Sequence, residues 1–139
     1  MGQRKMADSR PVARPLSPHL QIYKPMFSMM MSITHRLTGV TLFFGSILFV
    51  WWLCAAAQSD AYFNFVQSFF HHWFGRLILF GFTWALIHHA LGGIRHLIWD
   101  TGRGFKLGTV NVMSWFTILG SLLLTAAIWG AMFKLRGYL

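Results

Sequence analysis

WFGRLILFGFTWALIHHALGGIRHLIW, residues 73–99, is a long apolar run whose second half carries His88, His89, Arg95 and His96. A helix that crosses a bilayer needs about 20 mainly apolar residues, and this run supplies them. Two similar runs flank it. The first spans about Met29 to Ala57, with Leu37–Ala57 unbroken by charge. The third spans about Thr109 to Phe133 and has no ionisable residue. The pattern predicts an all-α membrane protein with three transmembrane helices. The glycines Gly102, Gly104 and Gly108 mark the loop after the second span. Residues 58–72 connect the first two spans, with an interfacial helix expected around Tyr62–Phe70. Trp51, Trp52, Trp73, Trp99, Trp115 and Trp129 fall near the span ends, as interfacial belts require.

Composition agrees with lipid as the main solvent. Of 139 residues, 55% are apolar and only 11% charged, whereas soluble domains carry about a quarter charged. The net charge of +9 arises from 12 Lys+Arg against Asp8, Asp60 and Asp100. These basic residues lie mainly at the edges of apolar runs, which fits membrane topology and not nucleic-acid binding. Cys54 stands alone in an apolar run, so no disulfide framework or cysteine metal site is expected. Residues 1–28 hold Pro11, Pro15, Pro18 and Pro25, too many for a long helix. They read as an extended arm with a short turn around His19–Tyr23. The arm has no secretory core. Its Met1-Gly2 start lacks the Ser/Thr at position 6 that myristoylation needs, and a short transit peptide is a minor alternative.

Lys/Arg asymmetry gives an expected orientation. Arg4, Lys5, Arg10, Arg14, Lys24 and Arg36 lie with the N-terminus, and Arg95, Arg103 and Lys106 with the second loop. Only Arg76, Lys134 and Arg136 fall on the other side. The N-terminus is therefore expected in the cytoplasm, or in the matrix of an organelle.

Ionisable groups inside a bilayer are costly and are functional candidates by default. On a helix turning 100° per residue, with His89 at zero, Gly93 falls at about +40°, Gly92 at −60° and His96 at −20°. One stripe thus joins two imidazoles and two bare backbone positions. Neutral imidazole is a haem-iron ligand, and the glycines would let a flat macrocycle approach the helix. His89 lies roughly 15 Å below the cytoplasmic edge. The competing reading makes His88 and His89 interhelical hydrogen-bonding groups and Gly92/Gly93 a packing notch. His88 points about 100° away from His89 and reads as a packing residue or a support for it.

The first span opens with Ser32-Ile33-Thr34-His35-Arg36-Leu37-Thr38-Gly39. Ser32, His35, Arg36 and Gly39 share a face by helical spacing. Arginine holds carboxylates bidentately, which suits haem propionates, and it could equally polarise a quinone carbonyl. Simple snorkelling to the headgroups is the alternative for Arg36. The antiparallel topology puts this cluster and the His89 stripe in the same half of the membrane. Arg95 and His96 could each pair with Asp100, and Arg95 could equally be an orientation-setting charge. His71 and His72 read as solvated, and His19 has no assigned role. A six-coordinate haem needs two axial ligands. The third span offers none and His35 lies nearer the surface, so the second ligand is expected from another chain.

Ser32-x-x-His35-Arg36-x-Thr38-Gly39, after the Arg14-Pro15 arm, resembles one signature of the cytochrome b membrane-anchor subunits of succinate dehydrogenase (complex II). His89-x-x-x-Gly93-Ile94-Arg95-His96-Leu97-x-Trp99-Asp100-x-Gly102 resembles their second. The resemblance covers about residues 14–133. It implies that residues 1–28 are a cytoplasmic arm and 29–139 a three-span anchor domain, half of a haem-containing multi-helix bundle. It implies three partners: a flavoprotein that oxidises succinate, an iron–sulfur protein, and a second hydrophobic anchor subunit. The two anchors would share one haem b and bind ubiquinone. His89 would be the axial ligand to the haem iron, and Ser32 and Arg36 would line the quinone site. His35 and Arg36, with His96, would approach the propionates. This chain alone would not oxidise succinate. A bacterial inner membrane is the expected location, the mitochondrial inner membrane the alternative. The other functional classes are a homodimeric b-type cytochrome carrying electrons and a non-catalytic membrane scaffold.

Overall fold

The computed structural model describes residues 15–19 and 21–135. Their helices are α1 (Phe27–Gln58), α2 (Asp60–His71), α3 (Trp73–Asp100) and α4 (Leu107–Leu135). α1, α3 and α4 are each long and apolar enough to cross a membrane. Arg4, Lys5, Arg10, Arg14 and Arg136, used for the orientation, lie outside the described residues.

Local chemistry sets the helix ends. Pro25 disfavours helical geometry in the residue before it, and α1 starts at Phe27 after an extended Met26. In the arm, Ile22 N donates to His19 O at 3.4 Å, closing the turn expected there. At the far end, Ser59 is extended (φ −169°, ψ 155°) and serves two helices. It follows α1, and its hydroxyl accepts from Tyr62 N at 3.3 Å to cap α2. Asp60 in the first turn of α2 favours the positive end of the helix dipole. His72 repeats the device, its Nδ1 accepting from Phe74 N at 3.5 Å at the start of α3. α2 is tied down where Trp51 Nε1 donates to Tyr62 Oη (2.8 Å) and Trp52 Nε1 to Gln67 Oε1 (3.1 Å). At the other end of α3, Gly102 takes φ +76° and donates its N–H to Trp99 O at 2.8 Å. That left-handed conformation is the usual glycine stop for a helix.

α3 is the central element, packed against both α1 and α4. The interior is unusual for a helical protein in its chemistry. Its buried residues include Met31, Ala55, Val66 and Ala85, but also Thr38, His88, Arg95, Ser114, Thr117, Ser121 and Thr125. Large apolar side chains such as Phe43, Phe116 and Leu123 point outward. Lipid tails are as apolar as leucine, so nothing drives such side chains inward. Helix contact then depends on small residues and interhelical hydrogen bonds.

α4 supplies a stripe the sequence did not announce. Ser114, Thr117, Ser121 and Thr125 recur at helical spacing, all buried. Each hydroxyl donates to a carbonyl of its own helix at 2.7–2.9 Å. The oxygens of Ser114 and Ser121 then accept from α3, from Arg95 Nη1 at 3.0 Å and His88 Nδ1 at 3.3 Å. Arg95 also lies 5.0 Å from the Trp99 ring centroid, a cation–π contact. Arg95 is therefore neither a headgroup-facing orientation charge nor a partner of Asp100. Its removal from the charge tally leaves the asymmetry with the same sign.

On the other flank of α3, a Cβ at Gly45 would collide with the Phe82 ring. Gly45→Leu should destabilise the fold by about 1–3 kcal/mol, the usual cost of overpacking. An earlier unfolding midpoint in SDS titration from mixed micelles would show it. Gly130→Leu, where an added Cβ meets nothing within 4 Å, should leave the midpoint near native.

Candidate functional site

The stripe read on the start of α1 divides in the structure. His35 and Gly39 turn toward α3, while Arg36 is exposed and Ser32 half-buried. Neither Ser32 nor Arg36 makes a side-chain hydrogen bond among the described residues. They stand about one turn apart on α1.

Between the helices lies a cluster of imidazoles. His35 and His89 stack with centroids 4.0 Å apart and planes within 5°. His96, exposed about two turns further along α3, lies 5.2 Å from the His35 ring. Two glycines make this possible. His35 occupies the space beside Gly92, where a Cβ would strike its Nδ1. His89 lies against Gly39, where a Cβ would be 3.1 Å from its Cε1. Gly92 is thus a packing notch filled by His35 and not a bare platform for a macrocycle, which corrects the expectation from the stripe. The space over Gly93 is open, with nothing within 4 Å of an added Cβ.

The hydrogen bonds of His89 settle which nitrogen is available. His89 Nδ1 lies 3.1 Å from the carbonyl oxygen of His35. A carbonyl only accepts, so Nδ1 carries the proton and donates. In the neutral ring Nε2 then keeps its lone pair, and it makes no hydrogen bond among the described residues. The Thr38 hydroxyl donates to the same carbonyl at 2.9 Å and lies 3.3 Å from Nδ1. A ligating histidine that gives its other N–H to a carbonyl is the usual way metal sites fix a ring.

Its neighbour His88 has the opposite environment. It is 2% exposed, faces α4 through Ser121, and packs on Trp84 at 5.2 Å. A planar cofactor has no approach to it. The pair His35 and His89 is also the wrong shape for bis-imidazole ligation. Two trans ligands point end-on at a common centre, whereas these rings lie face to face. Among the described residues no group of three or more His, Cys, Asp or Glu could hold a bare metal ion. The chemistry available is one imidazole lone pair, a rim of His35 and His96, and a free guanidinium with a hydroxyl beside it. An apolar cleft of about 280 Å³ between α1, α2 and α3, lined by Gly45, Phe49, Trp52, Phe70 and Phe82, lies toward the opposite side and has no titratable group.

Sequence reasoning missed the roles of Thr38 and Gly39, although both sit in the motif it quoted. The available signal was their place on the turn after His35, where residues at i+3 and i+4 face the same neighbour.

A family model described as the succinate dehydrogenase/fumarate reductase transmembrane subunit matches residues 10–128. Over 116 residues the chain is 41% identical to the succinate dehydrogenase cytochrome b556 subunit of Rickettsia typhi, covering 84% of this chain and 90% of that one. It is 41% identical over 119 residues to the subunit of the same name from Paracoccus denitrificans, covering 86% and 92%. The mitochondrial cytochrome b560 subunit of Mus musculus is 37% identical over 70% of this chain and 59% of its own length.

The two neighbouring glycines of α3 should respond differently to substitution. Gly92→Ala should push His35 aside and lower the thermal denaturation temperature in detergent, at an overpacking cost of about 1–3 kcal/mol. Gly93→Ala should leave α1–α3 packing intact and the temperature unchanged or slightly raised, since alanine favours helix by roughly 1 kcal/mol.

Proposed function

The chain belongs to the succinate dehydrogenase/fumarate reductase transmembrane-subunit family, and from that premise we propose that His89 Nε2 ligates a haem b and that Ser32 and Arg36 form part of a ubiquinone-reduction site. It is a multi-pass cytochrome b membrane-anchor subunit of succinate dehydrogenase. The observation that carries the haem reading is the His89 bond to His35 O, which leaves a half-buried imidazole with an unshared lone pair on Nε2. His88 also leaves its Nε2 without a partner, but that atom is buried in the α3–α4 contact and has no open side for a cofactor.

A b-type haem held there would supply a one-electron store. The chain's own residues do the rest. His89 gives the lone pair, and its stack with His35 blocks rotation of the ring. His35, Arg36 and His96 lie toward the same end of the α1–α3 pair, where cations and N–H donors suit propionate carboxylates. The face-to-face stack of His35 on His89 keeps His35 from opposing it as a ligand, which supports a further ligand being supplied by the second anchor subunit.

Ubiquinone reduction takes two electrons and two protons. Negative charge develops on a carbonyl oxygen, and donors placed before the reaction lower its barrier. Arg36, exposed and without a side-chain hydrogen bond among the described residues, supplies a permanent cation for that oxygen. Ser32, one turn earlier, supplies a hydroxyl. Electrons come from the iron–sulfur subunit, and the flavoprotein subunit oxidises succinate, so this chain does not touch succinate. The Lys/Arg asymmetry of the sequence supports an arm and an α3–α4 loop on the cytoplasmic side of a bacterial inner membrane, the side on which the soluble subunits would dock.

His89→Leu should abolish the b-type band in the reduced-minus-oxidised spectrum of the purified complex, with the subunit still inserted. His88→Leu should retain the band. A native spectrum in the His89 variant would refute the assignment. Arg36→Leu should slow quinone reduction roughly 10- to 100-fold, from a charged hydrogen bond of about 1.5–3 kcal/mol. Succinate oxidation by an artificial dye should stay near native, and equal loss of both activities would indicate failed assembly instead.

A further inference from the structure

Thr38 is buried at 3% exposure in the α1–α3 contact. Other hydroxyls on α1 behave as threonines in membrane helices commonly do. Thr34 and Thr41 are bonded to Met30 O and Leu37 O of their own helix, and nothing more is built on them. Thr38 bonds its own helix too, at His35 O, yet its oxygen also reaches a side chain of another helix, His89 Nδ1. Its single proton goes to the carbonyl, so its lone pairs face the imidazole N–H. The N–H is thereby shared between two acceptors, His35 O at 3.1 Å and Thr38 Oγ1 at 3.3 Å.

The three atoms close a triangle on a rigid helical turn. Gly39 lies beneath the ring, the His35 ring covers one face, and the triangle holds Nδ1. We propose that Thr38 is a positioning residue for the haem ligand: its hydroxyl fixes the rotation and tautomer of His89 and strengthens Nε2 as an electron donor. This deepens the assignment of His89 as ligand and rests on it. Acceptors on the distal N–H raise the basicity of the ligating nitrogen. A stronger donor favours ferric over ferrous iron, so the hydroxyl lowers the haem potential. Nothing in this role requires Thr38 to touch quinone or haem.

The test is a redox titration of the haem in the intact complex, with electron paramagnetic resonance of the ferric state, for Thr38→Val and Thr38→Ser. Valine keeps the shape and removes the hydroxyl, and serine does the reverse. The expected result for valine is a raised midpoint potential and shifted g-values. A shift of up to tenfold in relative affinity for the two iron states corresponds to about 59 mV for one electron. Serine should match the native complex. If valine leaves potential and g-values unchanged, or serine moves them as far as valine, the proposal is wrong. Should valine prevent assembly, Thr38→Ala against Thr38→Ser makes the same comparison with a smaller side chain. His89→Leu run alongside separates the two levels. Retained haem there overturns the ligand assignment itself, whereas lost haem with an unresponsive Thr38 series overturns the role of Thr38 alone.

Discussion

Inside hydrocarbon a polar atom has no water to bond, so each one buried must find a partner within the bundle or bear a penalty of several kcal/mol. That constraint shapes both faces of α3. Toward α4 it meets a row of hydroxyls, each first satisfied by its own helix and each leaving an oxygen to spare. Ser114 and Ser121 use that spare oxygen to accept from Arg95 and His88. Toward α1 it meets a carbonyl of the helix backbone, exposed to a side chain because the neighbouring Gly39 has no Cβ. The helices are therefore joined mainly by polar and small groups, and their large apolar side chains are left for lipid.

The same arrangement separates two adjacent histidines by function. His88 and His89 differ by one position, hence by about 100° around the helix. One turns into a sealed interface and becomes a structural hydrogen-bond donor. The other turns to the α1 side, gives its proton to His35 O, and presents a lone pair at a half-buried edge. Chemically identical groups thus acquire different tasks from direction alone. The close stack of His35 on His89 adds a further restriction. It keeps the ring from rotating, and it prevents the pair from acting as opposed ligands. In the proposed haem site a further ligand would come from another subunit, which would link the chemistry of this chain to its assembly.

Arg36 and Ser32 illustrate the complementary case. They share a helical face with His35 and Gly39 by spacing, but the contact with α3 captures only two of the four. A guanidinium left outside the bundle costs little to keep charged and is free for a ligand or a partner. Arg95, by contrast, is drawn into the α3–α4 contact, bonded by Ser114 and stacked near Trp99. Two arginines of neighbouring helices thereby part ways, one facing outward and one drawn into packing.

The amino-acid sequence alone was enough for the three apolar helices and the short helix that connects the first two, because these depend on hydropathy, length and helical period. The motif residues were legible for the same reason, as ionisable groups where lipid should exclude them. Which way each side chain faces was not legible, because a 3.6-residue period defines stripes but not the neighbour that each stripe meets. Gly92 shows this directly. The period placed it beneath a cofactor, and the fold filled its notch with His35. The α4 hydroxyls, the inward turn of Arg95 and the Thr38 contact also emerged only from packing. Serine and threonine look unremarkable in an apolar run until a partner helix supplies the donor. His89 itself was named from sequence, but the nitrogen it leaves available was decided by one carbonyl on α1, fifty-four residues away in the chain and brought near only by the antiparallel packing of two helices.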